Sequence, residues 1–332
     1  MALKDRELRL IVGDHDAQYP VIVAPVWTQV QELTAQDPAF GDAFGVSVSV
    51  DGDTVLVGSV KTNLPGAAYV FVRSGAGWAL QQELVASDST IQDGFGDAVS
   101  LSGDTALIAA TSKNSRSGAV YVFERSQGAW TQQQVLTVPD ANGSEFGATL
   151  SVSGNTAFIG TAFGNTVYVF VRNGGVWTEQ QEFTNPNSFG FGRISVGGNT
   201  AIIGSGGADG GTAYVFVENG GVWSQQQILS ASDATSNNWF GSSVSLSGDT
   251  ALIGSSRQNG KGSAYVFVRN GGNWTQQQEL SAPDGVTGDF FGLSVFLSRV
   301  RRAIPCSANG REVIASACLS GIPSRMKTVH QL

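Results

Sequence analysis

The stretch from Phe240 to Leu280, FGSSVSLSGDTALIGSSRQNGKGSAYVFVRNGGNWTQQQEL, is one copy of a module that recurs along the chain. Earlier copies open at Phe44-Gly45, Phe95-Gly96, Phe146-Gly147 and Phe191-Gly192, and Phe291-Gly292 opens a copy that does not finish, so the period is 45 to 51 residues. Self-similarity at that spacing means that one supersecondary unit buries its apolar faces against copies of itself.

Each module resolves into four short strands. From Gly241 to Leu246 small polar Ser alternates with Val or Leu, the period-2 pattern of a strand with two unlike faces. Ser247-Gly248-Asp249-Thr250 supplies a tight turn, because Gly tolerates positive φ and Asp bonds its own backbone. Ala251 to Gly254 is an apolar run short enough for a buried strand, and Ser263 to Arg269 is rich in β-branched and aromatic residues. Asn270-Gly271-Gly272 is a hairpin signal, since a type I′ turn needs positive φ at both central positions. Trp274 to Leu280 is the fourth strand. Four antiparallel strands in a module of about 50 residues, repeated around a ring, describe a blade of an all-β β-propeller.

Trp27, Trp78, Trp130, Trp177, Trp223 and Trp274 share one place in the module, and only Trp239 stands apart. Large aromatics dominate core burial, so these six are expected between blades rather than as stacking platforms. Phe of the Phe-Gly pair is expected in the wedge between blades, with Gly admitting close backbone approach. The Gln runs (Gln132 to Gln134, Gln225 to Gln227, Gln276 to Gln278) fall on the outer strand and are expected as a solvated rim.

The ends are less regular. Trp27 to Leu33 (WTQVQEL) differs from Trp274 to Leu280 at one position, Tyr19 to Val23 stands where YVFV stands elsewhere, and Leu8 to Gly13 is a weaker candidate second strand. This partial blade lacks a first strand, whereas Phe291 to Ser298 is a first strand without a blade. Joining them closes a ring of six blades, five whole and one composite, with seven if the chain is truncated. Residues 1–298 are thus expected to form the propeller and 299–332 a separate tail. In the tail six Lys/Arg meet one acid, although the chain as a whole carries −8, and both cysteines, Cys306 and Cys318, lie there. Out-of-frame translation accounts for it, because the codons of Ala317 to Ile322 permit Val-Phe-Val-Arg-Asn in a shifted frame; a basic interaction tail or a disulfide are the other readings.

The Phe-Gly opening, G-(D/N)-T-A-(L/I/F)-I-G, YVFVR and W-T-Q-Q-Q, in fixed order over about residues 19 to 298, resemble the FG-GAP repeats of integrin α-subunit propellers and most closely their bacterial relatives. The resemblance implies a β-propeller that binds a protein or carbohydrate partner, outside the cell or at its surface, although Met1 to Arg6 is charged and no signal peptide is visible. The family's Ca²⁺ loop, D-x-D-x-D-G between strands one and two, does not carry over: Val50-Asp51-Gly52-Asp53, Ser102-Gly103-Asp104, Ser153-Gly154-Asn155 and Gly197-Gly198-Asn199 offer one or two carboxylates at most. No cofactor is expected beyond a weakly held divalent cation such as calcium.

Enzyme signatures are scarce. A Ser-His-Asp hydrolase needs a base, and the only histidines are His15 and His330. Asp14-His15-Asp16 reads as a solvated loop, and no phosphate-binding loop, dinucleotide motif or zinc spacing occurs. The acidic, Lys-poor body argues against nucleic acid, and no apolar run approaches the ~18 residues of a membrane span. The expectation is a monomeric, non-enzymatic binding or adhesion module, with a structural scaffold or a carboxylate-based glycoside hydrolase as alternatives.

Its binding face is expected where the strand two-to-three loops meet the blade-linking loops, because the first differ in every copy and the second carry most of the paired acids. The candidate ligand-binding residues are Asp88, Asp93, Asp140, Glu145, Asp233, Asp284 and Asp289, with Trp239 and Phe290 placed to stack on a sugar or apolar partner.

Overall fold

A computed structural model describes residues 31–163, 165–184, 192–207 and 210–297 in full, and the backbone of short strands at 3–4, 7–8, 298–299 and 313–318. Met1–Glu32 forms one compact unit, in which Leu3–Lys4 pairs antiparallel with Glu7–Leu8. Leu33–Leu332 forms the second. Trp27 and the strands expected between residues 9 and 30 lie outside the described residues.

The second unit is a β-propeller. Five four-stranded antiparallel sheets follow one another, each in the order first-second-third-fourth strand, so each module is one up-and-down blade. The first strands are Ala43–Asp51, Phe95–Ser102, Phe146–Ser153, Arg193–Gly197 and Phe240–Ser247 in blades 1 to 5. A sixth, Ser294–Arg299, begins the next position. It pairs antiparallel with Val313–Cys318, so a segment of the tail, expected to stand apart from the repeats, contributes a strand to this edge.

Local chemistry explains the regularity. Asn270 and Asn273 close a two-residue hairpin around Gly271 (φ 56) and Gly272 (φ 92), the double positive φ that a type I′ turn demands. The second strand of blade 2, Thr105–Ala110, is buried along its whole length because sheets cover both of its faces. The Phe-Gly pair works between blades: Phe95 is fully buried beside Tyr121, and a Cβ on Gly96 would stand 2.5 Å from the carbonyl oxygen of Ala67 in blade 1.

Blades are also stitched to their neighbours by polar bonds. On the inner strands, Ser49, Ser100, Ser151, Ser195 and Ser245 accept the backbone N–H of Leu101, Val152, Val196, Leu246 and Leu297 in the next module, at 2.9 to 3.0 Å. On the opposite side to the linking loops, Arg125 donates to Asp104 at 2.6 Å and to Thr54 of the preceding blade at 3.0 Å, its guanidinium 5.1 Å from the Trp130 ring. Arg269 does the same with Asp249, Thr200 and Trp274. The carboxylates of these strand one-to-two turns therefore hold arginines.

The module tryptophans pack as expected: Trp130, Trp177, Trp223 and Trp274 are buried and Trp78 is half-buried. The Gln runs need correction. In two of the runs one Gln turns toward the next blade and clasps the backbone of its Trp, Gln134 at Trp177 and Gln227 at Trp274. Gln132 and Gln276 accept the backbone N–H of Ser87 and Ser232 in the linking loops, and members such as Gln133 form the solvated rim.

Candidate functional site

The blade-linking acids are mostly engaged within the fold. Asp88 accepts from the Tyr121 hydroxyl at 2.7 Å, and Lys113 stands 3.3 Å from the same carboxylate and 3.1 Å from Asp93. The Tyr121 hydroxyl, followed by Lys113, holds the Asp88 carboxyl below the ordinary aspartate range. The same tie joins Asp37 to Tyr69, Asp140 to Tyr168 and Asp233 to Tyr265. In blade 1 Lys61, itself buried, bridges Asp37 and Glu83; in blade 5 Gln258 takes that place and donates to Asp233 at 2.6 Å. Glu145 pairs with Arg116. Asp289 is buried and accepts the N–H of Val286 at 2.8 Å within its own turn, and Asp284 is exposed.

Trp239 and Phe290 are half-buried and occupy the same place in consecutive modules, just before the Phe of Phe-Gly. Both take positive φ (60° and 52°), a conformation that costs a bulky residue energy. One face of the Trp239 ring carries the Arg257 guanidinium at 4.0 Å. The structure thus brings Asp88 and Asp93 together around one lysine, and ties Asp140, Glu145 and Asp233 each to partners of its own. Among the described residues no three His, Cys, Asp or Glu side chains gather as metal ligands.

A different site opens at the centre. The first strands of all six modules line a cavity of about 370 Å³. Ladder register slips just after the Phe in blades 1, 2, 3 and 5, between Phe44 and Ser47, Phe95 and Val99, Phe146 and Thr149, and Phe240 and Ser243. Such bulges leave residues unpaired and re-aim side chains. The residue following the Phe-Gly glycine then lines the cavity as Val46, Asp97, Ala148, Arg193 and Leu293 in modules 1, 2, 3, 4 and 6. Asp97 and Arg193 are the only charged groups among the lining residues, which are otherwise aliphatic, Ser or Thr.

Asp97 is half-buried, and burial pushes its carboxyl above the ordinary aspartate range. Hydrogen bonds from the Thr111 hydroxyl and backbone pull the other way, and the charge of Glu145 adds to the upward push. Gly94 makes room, since a Cβ there would lie 2.3 Å from Asp97 Oδ2. Arg193 is exposed to the cavity. Among the described residues it enters none of the ion pairs that occupy Arg73, Arg125, Arg172 and Arg269.

Neither residue stands out in the linear sequence. The signal is positional: aligned on Phe-Gly, the following residue reads Val46, Asp97, Ala148, Arg193, Ser242, Leu293, and two members are charged.

The family model for the FG-GAP repeat matches residues 27–71, 78–123, 223–267 and 274–301. No protein with a curated description matches the chain in sequence. Among solved structures, a putative 6-phosphogluconolactonase from Bacteroides uniformis superposes with a TM-score of 0.57 at 16% identity, over 83% of this chain and 80% of the other. The periplasmic gluconolactonase of Pseudomonas aeruginosa gives 0.51 at 18%, over 72% and 70%. A β-propeller domain from Myceliophteria thermophila gives 0.55 at 11%, over 83% and 80%. At these identities the likeness is one of fold.

That likeness corrects the functional expectation. A non-enzymatic adhesion module was inferred from the missing Ser-His-Asp set and from the repeat, yet similar propellers include two described as lactonases. The fold is thus one that enzymes share, and the non-enzymatic reading is set aside. Among the described residues no helix is long and apolar enough to cross a membrane.

Proposed function

For this FG-GAP repeat protein, a β-propeller with a charged central cavity, we propose hydrolysis of a small ester of the sugar-lactone class, with Asp97 as general base. The observation that carries the reading is a carboxyl group, raised above its ordinary range by burial, in a cavity with room for a monosaccharide. A base works best when its pKa approaches the operating pH, and burial moves Asp97 in that direction. The lactonase descriptions of two propellers of similar fold support the substrate class.

The chemistry balances with one carboxylate. Asp97 takes a proton from water as the water oxygen adds to the lactone carbonyl. The ring C–O bond then breaks, the departing alkoxide takes the proton from Asp97, and the product is the open-chain hydroxy acid. Glycoside hydrolysis needs a second carboxyl group across the scissile bond. Only Asp97 supplies one among the lining residues, which favours an ester over a glycoside. The FG-GAP resemblance supports a location at the cell surface or outside the cell.

The test is turnover of δ-gluconolactone and 6-phosphogluconolactone above their spontaneous rates, followed by acid release. Wild-type protein is expected to accelerate at least one of them and Asp97→Asn to lose the acceleration. Wild-type rates no greater than spontaneous, or an Asp97→Asn variant as fast as wild type, would refute the proposal and leave a structural scaffold.

A further inference from the structure

Resting on that reading, we infer that the substrate carries an anionic substituent remote from the reacting ester, held by Arg193. Asp97 and Arg193 occupy equivalent positions of modules 2 and 4, immediately after the Phe-Gly glycine, so they lie at one depth of the same cavity. The equivalent residue of the module between them is Ala148, whose methyl group leaves the space across the cavity open. A ligand that reaches both charges must therefore span the cavity rather than sit on one wall.

The charges also fix its direction. The ionised Asp97 carboxylate repels an anionic group on its own side of the cavity, and Arg193, the one cation among the lining residues, draws it to the other. The other strand-borne arginines among the fully described residues are consumed by the fold: Arg73, Arg125 and Arg269 pair with Asp53, Asp104 and Asp249, and Arg172 with Glu124. Arg193 comes from a different strand, is exposed to the cavity, and takes part in none of these ties. Its planar fork matches a carboxylate or phosphate in bidentate geometry. A neutral sugar lactone uses the base and leaves this cation idle. An acidic or phosphorylated sugar lactone uses both, and is bound with its ester toward Asp97.

Binding of open-chain acids separates this inference from the catalytic one, because it needs no turnover. Glucitol, which is uncharged, glucarate and 6-phosphogluconate are titrated calorimetrically into wild type, Arg193→Gln and Asp97→Asn. Wild type is expected to bind glucarate or 6-phosphogluconate about tenfold or more tightly than glucitol, as a charge-assisted bidentate contact provides; which of the two is preferred identifies carboxylate or phosphate as the anchor group. Arg193→Gln is expected to lose that preference, with an unchanged circular dichroism spectrum and melting temperature, and Asp97→Asn to keep it. Equal affinity for all three ligands in wild type, or an undiminished preference in Arg193→Gln, overturns the inference even if lactone turnover is found. A preference retained in Asp97→Asn together with unaltered turnover in that variant instead refutes Asp97 as the base and leaves the anion anchor standing.

Discussion

The side-chain amide of Gln82 clasps the backbone of Trp130 in the next blade from both ends: its Nε2 donates to the Trp130 carbonyl at 2.8 Å, and its Oε1 accepts the Trp130 N–H at 2.8 Å. The same clasp joins Gln134 to Trp177, Gln181 to Trp223 and Gln227 to Trp274. A side-chain amide thereby stands in for a strand partner at the outer edge of each blade, where the ladder would otherwise end with open backbone groups.

Removing one clasp and its neighbour separates the two roles within a Gln run. Gln134→Ala strips two hydrogen bonds and leaves a partly buried N–H and C=O of Trp177 unpaired, at a cost of about 1 to 3 kcal/mol. Gln133 bonds only Thr131 on its own strand, so Gln133→Ala is expected within about 0.5 kcal/mol of wild type. Urea midpoints of the two variants decide; equal losses would mean that the clasp adds nothing.

The two kinds of tryptophan are distinguished in the same way. Trp130 is buried between blades 1 and 2, so Trp130→Ala is expected to cost about 3 to 5 kcal/mol. Trp239 is half-buried, and its φ of 60° suits glycine, which stands at the equivalent place in blade 2 as Gly94. Trp239→Gly gives up the Arg257 contact, about 0.5 to 1 kcal/mol, while relieving strain of the order of 1 kcal/mol. Thermal unfolding is expected to find it close to wild type, and a loss like that of Trp130→Ala would make Trp239 a core residue.

Much of this architecture is legible in the sequence alone. Strand boundaries, the Asn270 to Asn273 hairpin and the burial of Trp130 follow from alternation, turn chemistry and the recurrence of one large apolar residue, all of which are local or periodic. The Gln82 clasp was not legible, because a Gln on an exposed strand carries no mark of which backbone it reaches 48 residues away. The same limit applies to function. Asp88 and Asp140 read as ligand-binding acids of the blade-linking loops, yet each is tied to a tyrosine of the neighbouring third strand. Asp97 and Arg193 carry no such mark, since only ring geometry turns the residue after Phe-Gly into a cavity wall.

The tie between Asp88 and Tyr121 has a pH signature. Its hydrogen bond lowers the Asp88 pKa, so that part of the stability is present at neutral pH and is lost as pH falls through the lowered value. Burial, followed by the bond to Asp88, raises the Tyr121 pKa to about 12; this contribution is complete below about 10 and disappears as pH climbs past the raised value. Tyr121→Phe removes both. Its deficit relative to wild type, about 0.5 to 1.5 kcal/mol at neutral pH, is expected to shrink toward pH 3 and again toward pH 12. A deficit that is constant across that range would show that the hydroxyl contributes no proton-linked stability.

Asp97 is expected to separate activity from stability. As a general base it acts only when ionised, so lactone turnover is expected to rise with pH, half-maximal above the ordinary aspartate value near 4 because burial raises its pKa. The same shift has the opposite consequence for the fold. A carboxyl whose pKa is higher folded than unfolded binds its proton more tightly in the native state, so its stabilising contribution is present at low pH and is lost as pH rises through the raised value. Asn in its place keeps similar size and cannot ionise. Asp97→Asn is therefore expected to be inactive at pH 7 yet no less stable than wild type, with its stability advantage vanishing below about pH 4. Turnover and thermal midpoints measured side by side between pH 3 and 8 check both halves. A variant that lost stability and activity together would make Asp97 a structural partner of Thr111 rather than the base.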